Sequence, residues 1–331
     1  MEQTTYDVTA LGELLVDFVQ DGESGRKGTW FRMHAGGAPA NVAAAVARLG
    51  GTSAFVGCVG DDFFGTELRD MLAGRGVDTT GLQVTGECGT TLAFVRISGD
   101  GERSFRFYRD PGADTRLRWD ERIARLVRRC RVFHFGSLSL THEPSRSTTF
   151  RAVRAARESR SVVSFDPNWR PVLWNDHGEA RSLFLAAMEL ADVVKVSEEE
   201  LDFLTGSEGD VETRARELQS RSGVPLLLVT LGKRGCHYRY GALGGEVAAF
   251  PARTVDTTGA GDAFLGAFLY QLTLRNAERP ACGLPDGLEE GELLEMLRFA
   301  CAAAALSTER SGAMDALPEI HEVLGLMRGN N

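Results

Sequence analysis

The sequence predicts an α/β fold: a mainly parallel central sheet with helices on both faces, plus a small β-sheet lid. Three observations predict it. Short apolar runs alternate with amphipathic or alanine-rich stretches along most of the 331 residues. The runs carry apolar residues at both parities, so both strand faces are buried, as in parallel sheets covered by crossover helices. Two stretches, 16–34 and 90–110, break the rhythm and read as β-hairpins beside the main sheet.

The first strand lies in VTALGEL (8–14), followed by the first hairpin. ANVAAAVARLG (40–50) reads as a helix, SAFVGCVG (53–60) as a strand and FGTELRDMLAGRG (64–76) as a helix. In the second hairpin, Gly99-Asp100-Gly101 separates two alternating runs and marks the turn. Beyond it come the strands RVFHFGS (131–137), SVVSFDP (161–167), ADVVKVS (191–197) and PLLLVTLG (225–232). STTFRAVRAARESR (147–160) and EARSLFLAAMELA (179–191) supply helices between them. AGDAFLGAFLYQLTL (260–274) carries Phe264, Leu265, Phe268, Leu269 and Leu272 in a helical stripe. NAERPACGLPDGLEEG (276–291) reads as a surface loop. With no internal repeat, residues 1–331 read as one α/β domain carrying an inserted lid.

Composition narrows the function. Hydrophobic residues make up 43% and charged residues 25%, ordinary for a soluble globular chain. The net charge of −9 argues against a nucleic-acid partner held by a basic field. No apolar run reaches the roughly 18–20 residues of a membrane span. The N-terminus lacks the basic and apolar regions of a signal peptide. Six cysteines, at 58, 88, 130, 236, 282 and 301, show no metal-ligand spacing and read as free thiols of a cytoplasmic protein.

The chemistry concentrates in TVDTTGAGDAF (254–264). Thr257, Thr258 and Gly259 precede a helix whose first N–H groups have no intrahelical partner and face outward at the positive end of the dipole. That is an anion site, yet Asp262 stands inside it. Phosphoryl transfer to an alcohol gives the acid a purpose: the attacking hydroxyl must lose a proton while the N–H groups hold the developing charge. The stretch is not a Walker A loop, since no Lys-Ser/Thr follows its last glycine. No GxGxxG follows the first strand, which argues against a Rossmann dehydrogenase.

DTTGAGDAF resembles the C-terminal signature of the ribokinase/PfkB family of sugar kinases, and GGAPANVAAAVARLGG (36–51) resembles its N-terminal sugar-binding signature. GELLVDF, VFHFGSLSL, DPNWRPVLW and KVSEEEL look most like the fructokinase branch. The resemblance implies a ribokinase-like fold, ATP and Mg²⁺ as cofactors, K⁺ as a possible activator, and a sugar as acceptor. It implies Asp262 as general base and Gly259, Ala260 and Gly261 as the anion hole.

Further roles follow from the same resemblance. Asp17, Gly36, Gly37 and Asn41 would meet sugar hydroxyls. Phe107 and Arg109, placed on one face of the lid strand by alternation, would cover the sugar, with Asp166 and Arg170 completing its site. Lys195, Ser197 and Glu200 would serve the ATP phosphates, Glu200 ordering Mg²⁺ through water. Ser197 stands where the family usually has Asn. As plain helix geometry, Ser197 and Glu200 also form a capping box. Thr230, Gly232 and Gly235 would line the nucleotide site, and residues 297–318 would close the adenine pocket. Cys301 stands where many relatives have Asn. Asp256, Thr258, Ser307, Arg310 and Gly312 would hold a monovalent cation.

Three alternatives accompany this reading. A 2-keto-3-deoxygluconate kinase would use Arg109 and Arg170 to clamp the substrate carboxylate. A non-catalytic sugar or nucleotide sensor would have no need of Asp262. Adenosine or ribose fits the fructokinase-like stretches less well. Open lid strands favour edge pairing into a homodimer.

Overall fold

The computed structural model describes residues 5–25, 28–97, 103–276, 284 and 288–329. Their strands, in chain order, are β1 (Tyr6–Leu11), β2 (Leu15–Gly25), β3 (Gly28–Gly36), β4 (Ser53–Gly60), β5 (Val77–Thr85), β6 (Leu92–Ile97), β7 (Arg103–Tyr108), β8 (Cys130–Gly136), β9 (Val162–Asp166), β10 (Val193–Ser197), β11 (Leu226–Thr230), β12 (Cys236–Tyr240) and β13 (Leu243–Val247). The α-helices are α1 (Ala38–Arg48), α2 (Phe63–Ala73), α3 (Glu121–Val127), α4 (Ser145–Glu158), α5 (His177–Met188), α6 (Glu198–Thr205), α7 (Val211–Ser222), α8 (Ala260–Asn276), α9 (Glu290–Ser307) and α10 (Ile320–Gly329).

Nine strands form the main sheet in the order β13-β12-β11-β10-β9-β8-β1-β4-β5. From β11 to β5 every pairing is parallel. The expected alternation of faces is visible within single strands. Phe133, Val163, Val194 and Leu227 pack with α3 to α7, while their neighbours Val132, Val162, Val193 and Leu226 pack with α1, α8, α9 and α10. Burial on both sides is why these strands read as continuous apolar runs.

The sequence predicts no strand at β5, β12 or β13. β12 and β13 pair antiparallel at one edge of the sheet, and CHYRY carries aromatic and charged residues. Such a strand lacks the apolar run that marked the central ones.

The two hairpins form one separate sheet, β3-β2-β6-β7. β2 pairs antiparallel with β3, β6 with β7, and β2 joins β6 in parallel. The expected turn at Gly99-Asp100-Gly101 lies outside the described residues, as do 277–283 and 285–287 of the expected surface loop. Asp114 clamps both ends of the β6–β7 hairpin. Its Oδ1 accepts from Thr91 Oγ1 at 2.6 Å, and its Oδ2 accepts from Arg109 Nε at 2.9 Å and Nη2 at 2.6 Å.

α8 is the central helix. Ala263, Phe264, Leu265, Ala267, Phe268, Leu269 and Leu272 are all buried, so it is apolar around most of its circumference.

Candidate active site

The parallel strands end together, β9 at Asp166, β10 at Ser197 and β11 at Thr230. Ligands of open α/β sheets bind at these carboxyl ends. The first turn of α8 lies at the same end, where Lys195 closely approaches Gly261.

Asp262 is buried in that first turn. Asn41, from the first turns of α1, donates its Nδ2 to Asp262 Oδ2 at 2.7 Å. The two signatures, more than two hundred residues apart in sequence, therefore meet in one hydrogen bond. Asn41 Oδ1 is buried with no partner among the described residues, leaving an acceptor for a ligand hydroxyl. Burial pushes the Asp262 carboxyl up to about 6, with the nearby Asp166 charge adding to the rise; Asn41, Lys195 and Arg170 oppose it.

Asp17 lies in β2 opposite His34 of β3 and Ala93 of β6, and Phe107 of β7 is opposite Ala93. This register puts Asp17 and Phe107 on one face of the four-stranded sheet. Burial pushes Asp17 up to about 7, Arg170 opposing and Asp262 reinforcing the rise. A β-carbon at Gly36 would lie 2.1 Å from Asp17 Oδ2. Glycine at 36 is what lets that carboxylate occupy its place. Gly37 is the residue that leads into α1.

Asp166 and Lys195 form a buried ion pair at 2.7 Å. Burial disfavours the Lys195 charge, but the Asp166 and Glu200 carboxylates outweigh it and raise its pKa. Asp166 Oδ1 also accepts the Asn168 N–H at 3.0 Å. Arg170 is half-buried and donates to the Trp169 carbonyl at 3.1 Å.

The capping box is present: Ser197 Oγ accepts from Glu200 N at 3.1 Å, and Glu200 Oε2 accepts from Ser197 N at 2.7 Å. Glu200 Oε1 also accepts from Trp169 N at 2.7 Å, tying the loop after β9 to the start of α6. Thr230 Oγ1 donates to the Val196 carbonyl at 3.4 Å. Gly232 and Gly235 bound the turn into β12, where Leu231 N donates to the Gly235 carbonyl at 2.8 Å. Cys301 is buried on α9.

Asp256 organises the remaining loop. Its Oδ1 accepts from Thr258 N at 2.8 Å and its Oδ2 from Gly312 N at 3.1 Å. Ser307 is buried, its Oγ donating to the Ala304 carbonyl at 2.8 Å. The Arg310 guanidinium is turned to Glu322, so only its backbone is available to a cation. Gly259, at φ +75°, makes the left-handed turn into α8. Among the described residues no group of three or more His, Cys, Asp or Glu is arranged to hold a metal.

Arg109 departs from its expected placement. β7 ends at Tyr108, so strand alternation no longer directs the next residue. The Arg109 side chain turns inward to Asp114, and also donates to Thr141 Oγ1 at 3.0 Å and the Leu138 carbonyl at 2.9 Å.

Glu13 escaped sequence reasoning. Its buried Oε1 accepts the Ala38 N–H at the start of α1 at 2.9 Å, and burial pushes the carboxyl up to about 7. The signal was an acid embedded in the otherwise apolar GELLV.

Comparison with known proteins gives the family. Residues 6–320 match the family model described as pfkB family carbohydrate kinase. Fructokinase-1 of Zea mays is 45% identical over 322 residues, covering 97% of each chain. The crystal structure of a fructokinase with bound ATP from Xylella fastidiosa superposes with TM-score 0.86 at 37% identity, covering 98% of this chain and 99% of that one. A fructokinase from Vibrio cholerae O395 in fructose, ADP and calcium ion bound form gives TM-score 0.82 at 34% identity, covering 96% and 98%. On the match across residues 6–320 and these full-length relatives, the chain belongs to the pfkB family of carbohydrate kinases.

Proposed function

We propose that the chain is an ATP-dependent fructokinase that moves the γ-phosphoryl group of ATP to the 6-hydroxyl of D-fructose. The observation that carries this is Asp262: a buried carboxylate in the first turn of α8, held by the Asn41 amide. The fructokinase relatives, including one solved with ATP and one with fructose and ADP, support the choice of substrates.

Asp262 accepts the hydroxyl proton as that oxygen bonds to the γ-phosphorus. The bond from the γ-phosphorus to the bridging oxygen breaks, and ADP leaves with the electron pair. The Gly259 and Gly261 N–H groups hold charge on the phosphoryl oxygens, and the Ala260 N–H, which donates to the Thr257 carbonyl at 3.3 Å in this structure, joins them as the phosphoryl group arrives. Asp17, Asn41 and Arg170 orient the sugar, with Gly36 and Gly37 admitting it against the backbone and Phe107 covering it. Lys195 faces the ATP phosphates, and Thr230, Gly232 and Gly235 line the nucleotide side.

Each Glu200 oxygen accepts one backbone N–H and keeps lone-pair capacity for water, which fits a Mg²⁺ held mainly by phosphates and waters. When bound, Mg²⁺ neutralises phosphate charge. Asp256 and Thr258, with the backbone at Ser307, Arg310 and Gly312, are proposed to hold K⁺ beside the anion hole.

The four-stranded sheet acts as a lid over the sugar, excluding water from the phosphoryl group. Trp30 is 70% exposed and Tyr108 61% exposed on this sheet, which supports a homodimer through the lid. Sedimentation at micromolar concentration tests it, and a monomer there overturns it. Among the described residues five cysteines are free thiols, which supports a reducing cytoplasm. Among the described residues no helix is long and apolar enough to cross a membrane.

ADP release measured with fructose, 2-keto-3-deoxygluconate, ribose and adenosine, with and without K⁺, tests the substrate. Fastest turnover on the keto-acid overturns the fructose assignment. The pairing of Arg109 with Asp114 argues for fructose, because the carboxylate clamp required Arg109.

Asp262 titrates near 6 and Asp17 near 7, and both work as carboxylates. Activity is therefore lost as pH falls. The expected profile of kcat/KM for fructose drops through pH 7 to 6 with a slope steeper than one, since two interacting groups protonate. Asp17→Asn should reduce that slope to one and raise the fructose KM by about tenfold or more, roughly the worth of one charge-assisted hydrogen bond. An unchanged slope removes Asp17 from the profile.

A further inference from the structure

Asp166 was expected to meet the sugar, but its carboxylate is already engaged. Oδ2 accepts from Lys195 at 2.7 Å, Oδ1 accepts from Asn168 N at 3.0 Å, and the residue is 1% exposed. Register explains the pairing. Phe165 of β9 stands opposite Val194 of β10, so the next residues, Asp166 and Lys195, are neighbours at the end of the sheet.

The direction of Lys195 is the second observation. A β-carbon at Gly261 would lie 3.1 Å from Lys195 Nζ, and within 4 Å it would meet only Lys195 atoms. The ammonium therefore lies against the first turn of α8. A buried cation at the positive end of a helix dipole opposes the usual preference, which places cations at the other end. Asp166 compensates part of that cost on one side. An anion at the helix start would compensate the rest, because both the N–H groups and the ammonium would face it.

We propose that Lys195 is a catalytic residue that touches the transferring phosphoryl oxygens, and that Asp166 is the positioning residue that aims it rather than a sugar ligand. This rests on the reading of Asp262 as the base. Binding ATP in the ground state and stabilising the transition state are different tasks. A rigid, ion-paired ammonium beside the anion hole serves the second, since it needs no reorganisation as charge spreads over the phosphoryl group. Glycine at 261 keeps that approach open.

The groups facing Asp262 are Asn41 from α1, Asp17 from β2, Asp166 from β9, Arg170 from the following loop and Lys195 from β10. Neutralising Asp166 removes a negative neighbour from this set. The acid limb contributed by Asp262 should then move to lower pH.

The test is steady-state ADP release by purified full-length D166N, K195M, K195R, D166N/K195M and D262N, with fructose and ATP varied. Expected are kcat losses of about 10²-fold in D166N and K195M, the usual cost of one anion-hole donor. Fructose KM should stay within about threefold in both, and the double variant should be no slower than K195M. K195R, which keeps charge and reach, should recover most of the turnover. The opposite pattern is a raised fructose KM in D166N with wild-type kcat, and losses that multiply in the double variant. That overturns the proposal and returns Asp166 to the sugar. Wild-type turnover in K195M overturns it even if D166N fails to fold. D262N separates the two readings: its retained activity removes the base, whereas its inactivity beside a fully active K195M leaves the base standing and removes Lys195.

Discussion

Asp262→Asn is expected to lower kcat by about 10²–10⁴-fold, the range contributed by a positioned general base, and to raise the thermal midpoint. Asparagine keeps the size of the side chain and an oxygen to accept from Asn41. ATP and fructose should therefore still bind, and the loss should appear in kcat rather than in either KM. The stability gain follows from the direction of the pKa shift. Folding raises Asp262 from its ordinary value to about 6, so the native state binds the proton more tightly than the unfolded chain. The ionised carboxylate is thus a penalty that grows as pH rises from about 4 through 6 and is fully present at pH 7. A neutral amide escapes it. An inactive variant that melts higher at pH 7, with the gain vanishing toward pH 4, is the signature of a base kept at the expense of stability. Near-native turnover would remove the base assignment, and an unchanged midpoint would remove the electrostatic account of its cost.

TVDTTGAGDAF and GGAPAN were legible because each places small residues and a polar group at a helix start, which is local information. Their meeting through Asn41 and Asp262 needed the fold. The capping box at Ser197 and Glu200 was readable from spacing alone. The strands β4, β8, β9, β10 and β11 were readable from continuous apolar runs, because each is covered on both faces. β12 and β13 were not, because an edge hairpin with mixed polarity gives no such run.

The contacts that the sequence did not show have a common physical origin. Arg109 was placed by extending strand alternation one residue past the end of β7, where the backbone no longer alternates. Asp166 was correctly put at a strand end, yet its engagement by Lys195 depends on register between β9 and β10. Glu13 and Asp114 act through tertiary hydrogen bonds to Ala38, Thr91 and Arg109, and no spacing in the chain announces them. Local signals identify helix starts and strand cores; charged side chains find their partners only after the strands are aligned.

Asp114→Ala is expected to destabilise the fold by about 3–5 kcal/mol, the usual cost of removing one partner of a buried ion pair. The pair is nearly inaccessible, with side-chain exposures of 2% for Arg109 and 1% for Asp114. Without Asp114, the guanidinium keeps Thr141 Oγ1 and the Leu138 carbonyl but loses its counter-charge in a dry site. Thr91 Oγ1 loses its acceptor as well. Urea denaturation at pH 7 measures the effect. A loss below about 1 kcal/mol would place the pair in the class of exposed ion pairs, contrary to its burial. The double variant Arg109→Met, Asp114→Leu distinguishes charge from packing. Replacing both partners by apolar groups leaves no orphaned charge, so it should cost less than Asp114→Ala alone. A functional consequence follows from position. Thr91 precedes β6 and Arg109 follows β7, so one carboxylate fixes both roots of the β6–β7 hairpin to the main domain. The folded fraction of Asp114→Ala should therefore show a raised fructose KM, because Phe107 and the Asp17 strand lose their anchoring. The KM for ATP, whose proposed site lies among β10, β11 and α8, should be nearly unchanged. Equal losses in both KM values would mean that the clamp supports the whole domain rather than the small sheet.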